Sequence, residues 1–397
     1  MTHHSIVVCG GGAAGIASTI SAARRHVNVV LVERRPQIGG TVTHALIHTL
    51  GGLYDSNGQL LNGGLAAELE RRLKEADPQA ATRRMGQIWV LNVRPWIYAR
   101  VVRDWIAQHA NIQVRCGTRV VGVAIENRHV AAVDLCGPRV IETIEANQVI
   151  DATGSAEVVR LIDPNLVEDD PERSAGGWIF TLRGVTPGAL DVPSGLACVR
   201  ALRAAAQSGA LPAQCEKTWL DRGVSNDEVY VKLFVPLSND WREREAAIAR
   251  EMRSWQAPIL DVLHSLPGFA QARIDRSGQL GVRDGGRIRG EYRLTADDVL
   301  SARRFPDPAC RCSWPIEYWH PERGVSLTYL EAGDFYEVPL RALQLAGYEN
   351  VWAVGKCLSA DRYAHASARV VGTCWAMGEA VGSAAAAGGV LDHAECR

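Results

Sequence analysis

The stretch IVVCGGGAAGIAST, residues 6–19, decides the fold. Residues 6–8 are a short β-branched run of the kind that forms a buried parallel strand. Gly10-Gly11-Gly12-Ala13-Ala14-Gly15 then fits G-x-G-x-x-G. Residues 16–25, rich in Ala and Ser, predict a helix, and residues 27–32 predict a second apolar strand closed by Glu33. Together they make a complete βαβ unit of about thirty residues. Gly10 permits the tight turn out of the strand, Gly12 leaves room for a pyrophosphate against the backbone, and Gly15 lets the helix pack close to the sheet. The helix N-terminus offers free N–H groups and positive partial charge to phosphates. Glu33 stands where a carboxylate accepts hydrogen bonds from ribose hydroxyls. A bare glycine-rich turn would account for the glycines, but not for strand, helix, second strand and terminal acid in register.

Past Glu33 the chain reads Arg34-Arg35-Pro36-Gln37-Ile38-Gly39-Gly40-Thr41. A second glycine pair just after the acidic strand end resembles flavoproteins of the glutathione-reductase type, in which this loop runs along the pyrophosphate towards the flavin. The resemblance implies FAD. Arg34 alone would suit the 2′-phosphate of NADP, but Glu33 beside it would repel one.

The rest of the composition bounds the function. With 397 residues the chain is long enough for two domains or one large interleaved one. Hydrophobic residues at 47% and charged residues at 22% are ordinary for a globular protein. A net charge of −1 gives no overall attraction to nucleic acid or to an anionic membrane. No apolar run reaches membrane-spanning length, and residues 1–5 are too few for a signal peptide, so a cytoplasmic location is expected. The ten cysteines are scattered without a C-x-x-C pair, which predicts reduced, mostly buried thiols. Cys310-Arg-Cys312 is the one close pair; two unrelated thiols, a redox pair and a sulfur donor are its readings.

Downstream, Pro95 opens a helix with apolar residues at helical spacing, and residues 112–114 form a strand. Residues 118–125, 130–135 and 139–144 read as three short antiparallel strands. Residues 149–154, VIDATG, return to an apolar strand. Residues 161–331 mix strand-like runs (178–183, 229–235) with amphipathic helices (196–207, 241–255), and contain no second G-x-G-x-x-G. Residues 306–324, PDPACRCSWPIEYWHPERG, carry too much proline for regular structure and predict an ordered aromatic loop, either lining a site or packed on the surface. Residues 350–355 predict a strand, and the small-residue helix from Arg369 ends at Gly388-Gly389. Its N-terminus, aimed at the flavin pyrimidine edge, would stabilise negative charge there.

By these segments the chain is identified as a member of the broad FAD-dependent oxidoreductase family. GGGAAGIAST, IGGTVTHAL, VIDATGSAEV, VRDGGRIRGEYRLTADDVLSARRFPD and NVWAVGKCLSADRYAHASARVVGTCWAMGEAVGSAA carry the resemblance. It covers both ends of the chain and part of the middle. It implies FAD held by Gly10, Gly12, Ala14, Gly15, Glu33, Arg34, Gly39, Gly40, Thr41, Ala152, Thr153, Gly154, Gly355, Arg369 and Val370. In such proteins the backbone at Val120, on the first strand of the β-meander, meets the adenine. The resemblance names no substrate. The W-x-W-x-I-P signature of tryptophan halogenases is not seen, and neither is an aromatic-hydroxylase signature.

The flavin itself carries hydride or electrons, and protein groups orient, deprotonate and tune. The candidate bases are histidines in segments that the resemblance sets beside the flavin. His44 and His48 follow the Gly39-Gly40-Thr41 turn and share one face if residues 43–50 are helical. His365 lies before the last helix, and His320 lies in the aromatic loop near Glu317. Each is otherwise a hydrogen-bonded structural imidazole. His44 ranks first, and covalent attachment of FAD there is open. Arg287, Arg289 and Arg293 either anchor an anionic substrate or pair with Glu291 and Asp297. His44-x-x-x-His48 lacks the form of a metal motif, so no metal is expected.

The expected architecture is α/β. A Rossmann-type FAD-binding domain is built from both chain ends, residues 1–160 and 332–397. An inserted α+β substrate domain spans 161–331, with 44–92 open to joining the substrate side. The expected function is oxidation of a small-molecule metabolite by hydride transfer to FAD, reoxidised by oxygen or an external acceptor. An NAD(P)H-driven reductase or monooxygenase is the alternative. A non-catalytic flavin sensor or assembly component is the alternative of another class, and loss of sulfur from a cysteine would mark a thiazole-synthase-like donor. A homodimer is the base expectation.

Overall fold

The computed structural model describes residues 6–138 and 140–388; residues 1–5, Arg139 and Gly389 onward, on which parts of the sequence reading fall, lie outside it. Five parallel strands form the central sheet in the spatial order Val351–Ala353, Gln148–Asp151, Ile6–Cys9, Val29–Glu33, Ile112–Cys116. Both faces are covered, as parallel strands require. Ile6, Val8, Leu31, Ile150 and Trp352 face one core, while Val7, Cys9, Val30, Val149 and Val351 face another beneath the three-stranded antiparallel meander. The alternation follows directly from the two-residue period of a strand.

The two ends of the chain meet on the first of these faces. The helices Ala13–Arg24 and Val371–Ala386 pack against each other, and the glycines at 378 and 382 set how closely. A Cβ on Gly378 would fall 2.2 Å from the Ala14 carbonyl oxygen, and one on Gly382 would fall 2.3 Å from that of Ser18. Trp375 of the closing helix stacks on Trp105, with ring centroids 5.4 Å apart. This crossing explains the small-residue composition of both helices.

A second core, including Trp178, Phe180, Val231, Leu233, Trp241 and Phe269, lies between a four-stranded antiparallel sheet and three helices. The sheet order is Trp219–Arg222, Val229–Val235, Gly176–Arg183, Arg273–Ser277. Alternate residues on these strands, among them Gly177, Ile179, Tyr230 and Phe234, fall on the opposite face. Ile179 and Tyr230 pack there with Leu46 and Ile47 from the segment after the second glycine pair.

Two sequence expectations are corrected. Residues 306–324 are not irregular: Pro308–Cys312 pairs with Tyr336–Pro339, and Ile316–His320 pairs with Gly324–Thr328. The prolines sit where strands tolerate them, at the first strand position, between the two strands and in the turn after His320. Cys310, Cys312, Trp314, Ile316 and Tyr318 pack into the first core. Residues 43–50 are not a helix. The helix Gly40–His44 stops, Leu46 takes φ +56°, and Thr49–Leu50 pairs with Ile88–Asn92. His44 and His48 therefore share no helix face. Among the described residues no helix is long and apolar enough to cross a membrane.

Candidate functional site

The carboxyl edge of the parallel sheet gathers the glycines, and they are glycine for different reasons. Gly10 has φ +114°, and a Cβ there would lie 2.3 Å from the Ala152 carbonyl oxygen. A Cβ on Gly15 would lie 1.9 Å from the Gly10 carbonyl oxygen. Both are fixed by protein packing. Gly12 is not: its φ of −83° is ordinary, and the nearest atom to a Cβ there is Gly40 Cα, at 3.9 Å. The space above Gly12 is thus left by the protein for something else. The helix Ala13–Arg24 begins at Gly12 with no side-chain cap, so its positive end is available to an anion. This cradle fits a pyrophosphate.

Glu33 ends the second strand, and its carboxylate is held from both sides. Oε2 accepts from Gly11 N at 2.8 Å and Oε1 from Arg35 N at 2.7 Å. A carboxylate has lone pairs to spare for ribose hydroxyls after these two bonds. Glu33, Arg34, Val120 and Thr153 line one narrow cleft beside Gly10. Arg34 also lies 3.6 Å from Glu157.

Two residues that the sequence reading missed organise the Ala152-Thr153-Gly154 turn. Asp151 accepts from Thr153 N and Oγ1 and from Val158 N and Val159 N, at 2.7–3.2 Å. Its burial raises its pKa. Cys357 Sγ accepts from Gly154 N at 3.1 Å and Ala156 N at 3.3 Å, joining this turn to the one at Gly355. Burial pushes that thiol well up, so it is protonated and inert.

The other end of the edge is electropositive. Gly39 N donates to Gly11 O at 2.7 Å and brings Gly40 over Gly12, with Thr41 in the short helix that follows. Gly355 lies against Ala14 and Cys374. Lys356, recessed beneath Gly154, donates from Nζ to the Val282 carbonyl at 2.6 Å, and burial lowers its pKa. Arg369 Nη2 reaches the Glu317 carbonyl at 3.2 Å, and Val370 precedes the closing helix. Arg283, Arg369 and Lys356 have no carboxylate partner within 4.0 Å among the described residues. Lys356 follows a strand-end glycine, the one sequence signal that could have flagged it.

The four histidines are dispersed. His44 is half-buried, its Nε2 bonds the Gln37 carbonyl at 2.9 Å, and burial lowers its pKa. Its own carbonyl accepts from Gln279 N of the middle segment. His48 is fully buried, stacked on Tyr230 at 3.6 Å, with Nε2 3.3 Å from Asp221 Oδ2. Burial and the Lys232 charge lower its pKa to about 4. Asp221 is ionised, held far below the carboxylate range by Lys232, His48 and Arg83 against the cost of its burial. His365 is buried, bonds the Lys356 carbonyl at 3.0 Å, and is lowered to about 3 by burial. His320 is not paired with Glu317. Its Nε2 meets Glu172 at 2.8 Å, and its Nδ1 accepts from the backbone of Glu322 and Arg323. Arg287 is buried among Asp170, Glu168 and Asp284, and Arg293 pairs with Glu168; neither takes Glu291 or Asp297.

One parallel sheet, an open glycine cradle over a helix N-terminus and a carboxylate closing the second strand define a dinucleotide-binding protein of the flavoprotein class. Residues 5–389 match the FAD-dependent oxidoreductase family, and the chain belongs to it. It is an FAD-dependent oxidoreductase, and FAD is its cofactor. Among solved structures it is similar to a geranylgeranyl bacteriochlorophyll reductase-like protein from Thermoplasma acidophilum, with 14% identity over 96% of this chain and 77% of that one and a TM-score of 0.48. A triple mutant of the flavin-dependent brominase Bmp2 matches with 13% identity over 97% of this chain and 80% of that one, at 0.49. The p-nitrophenol 4-monooxygenase from Pseudomonas putida matches with 13% identity over 73% and 70%, at 0.42. No curated protein matches the chain.

Proposed function

We propose that the protein oxidises a small metabolite by hydride transfer to FAD, with oxygen or an external carrier taking the electrons onward. FAD, when bound, supplies the two-electron acceptor. The chain supplies position, charge and a proton acceptor. Glu33 holds the adenosine ribose, with Val120 at the adenine and Arg34 beside it. Backbone at Gly10, Gly12, Ala14, Gly15, Gly39, Gly40 and Thr41 faces the pyrophosphate. Ala152, Thr153, Gly154, Gly355, Arg369 and Val370 line the flavin end. The inserted domain, residues 161–331, would cover the substrate.

The observation that supports this reading is the positive charge of Lys356 and Arg369, which bond only main-chain carbonyls, next to the N-terminus of Val371–Ala386. Fixed positive charge there favours the arrival of hydride. His44 is neutral at pH 7 because burial lowers its pKa. With Nε2 donating to Gln37, its Nδ1 is left to accept a substrate proton.

The test is anaerobic reduction of the FAD-loaded protein. A metabolite panel without NAD(P)H is expected to bleach the flavin, and oxygen is expected to restore the colour. Bleaching by NADH or NADPH alone would overturn the proposal in favour of a reductase or monooxygenase. Bound flavin that neither reduces would overturn it in favour of a sensor.

A further inference from the structure

One recessed cation at this site comes from the middle of the chain, and cofactor binding does not account for it. Arg283 follows Val282, whose carbonyl holds Lys356, and its guanidinium lies over the Trp319 indole, with Cζ 4.0 Å from the ring centroid. One Nη donates to the Ala175 carbonyl. The guanidinium lies over Gly177, where a Cβ would stand in ordinary contact with Nη2 at 3.5 Å. The same aromatic strand organises its neighbours. Trp319 Nε1 donates to Glu317 Oε1 at 2.8 Å, and Trp314 Nε1 donates to Oε2 at 2.9 Å. The Glu317 main-chain carbonyl accepts from Arg369 Nη2. The Glu317 carboxylate is thus occupied by two indoles, while Arg283 and Arg369 gather around it.

Two guanidiniums face the single Glu317 carboxylate, which compensates them only in part. Neither guanidinium has a carboxylate within 4.0 Å among the described residues, and Arg369 Nε is buried without a hydrogen-bond partner. Burial, then the Arg369 charge, lower the pKa of Arg283 to about 9. Holding two recessed like charges together is costly, and one carboxylate shared with two indoles offsets only part of that cost; a second anion would offset the rest. Arginine presents a planar fork that matches a carboxylate. The partly exposed Trp319 supplies apolar surface alongside, backed by the buried Phe234, whose ring lies 6.4 Å from its own.

Resting on the oxidoreductase reading above, we propose that Arg283 and Arg369 form a carboxylate-binding subsite, so that the substrate is a small carboxylic acid with an apolar or aromatic body. Its carboxylate would lie between the two guanidiniums, and its body would lie against Trp319.

The experiment titrates the FAD-loaded protein with benzoate and with benzamide, its uncharged isostere, following the flavin absorption spectrum. Benzoate is expected to perturb the spectrum and to bind at least roughly tenfold tighter than benzamide. Arg283→Met is expected to weaken benzoate roughly tenfold to a hundredfold while FAD content and affinity stay at the parent level. Arg283→Lys, which keeps the charge and loses the fork, should fall between, and its FAD content reports that the fold is intact. Equal binding of benzoate and benzamide, no binding of either, or unchanged benzoate affinity in Arg283→Met would overturn the proposal. So would loss of FAD affinity in both variants, which would give Arg283 to the cofactor. No readout depends on turnover, so an NAD(P)H-driven enzyme would still pass or fail this test independently.

Discussion

Replacing Gly12 by alanine separates a glycine kept for a ligand from one kept for the fold. The backbone there is open to alanine, with φ −83° and ψ −175°. Beyond its two chain neighbours, the nearest atom to the new methyl would be Gly40 Cα, at 3.9 Å. Alanine is a poorer helix N-cap than glycine by about 0.5–1 kcal/mol. It also restricts the unfolded chain, which returns about 0.4–1 kcal/mol. The two nearly cancel, so the flavin-free protein should melt within about 2 °C of the parent. The methyl occupies the space proposed for the pyrophosphate, and losing one charge-assisted backbone bond costs about 1.5–3 kcal/mol. FAD affinity should therefore fall roughly tenfold to a hundredfold. Gly15→Ala is the contrast, because its methyl meets a backbone oxygen at 1.9 Å and the Ala152 Cβ at 2.9 Å. It should destabilise the flavin-free protein by about 1–3 kcal/mol or more. Thermal unfolding without flavin and calorimetric titration with FAD give both numbers. Parent-like FAD affinity in Gly12→Ala, or destabilisation matching Gly15→Ala, would refute the reasoning.

Glu33→Ala strands the buried Gly11 N–H, at a cost of about 1–3 kcal/mol, so melting temperature and FAD affinity should fall together. Gly378→Val drives a branched side chain into the Ala14 carbonyl; urea unfolding should show a loss of about 3 kcal/mol. His48 is neutral when folded, with its pKa lowered to about 4 from 6.5. Its contribution is therefore complete above pH 6.5 and is lost as pH falls towards 4, because the unfolded chain binds the proton first. His48→Phe keeps the ring against Tyr230 and removes the titration. Its stability should vary less than the parent's between those limits in a pH series of denaturant melts.

The βαβ unit was legible because its information is local: glycine spacing, two apolar runs and a terminal acid lie within about thirty residues. Val229–Val235 was equally plain, as a run of apolar residues around one lysine. The strands around Cys310 and Tyr318 were not. Proline density suggested a loop, yet each proline falls where no ladder bond is needed. For Arg287 the pairing with Glu291 and Asp297 failed because two of its partners, Asp170 and Glu168, lie more than a hundred residues upstream; only Asp284 is near in sequence. His48 shows the same limit: nothing near it in sequence announces Tyr230 or Asp221. Arg283 went unseen and Glu317 was noted only as a neighbour of His320, because their meaning comes from Trp319, which stacks on one and bonds the other.

The glycine-to-backbone crossing of the first and last helices also bears on timing. The cradle is written before residue 20, but the helix packed against its back is not complete until residue 386. At a ribosomal pace of about 5–20 residues per second, the loop waits some tens of seconds for that support. The cradle therefore gains its packed support only after residue 386 has been made, late in the synthesis of this domain.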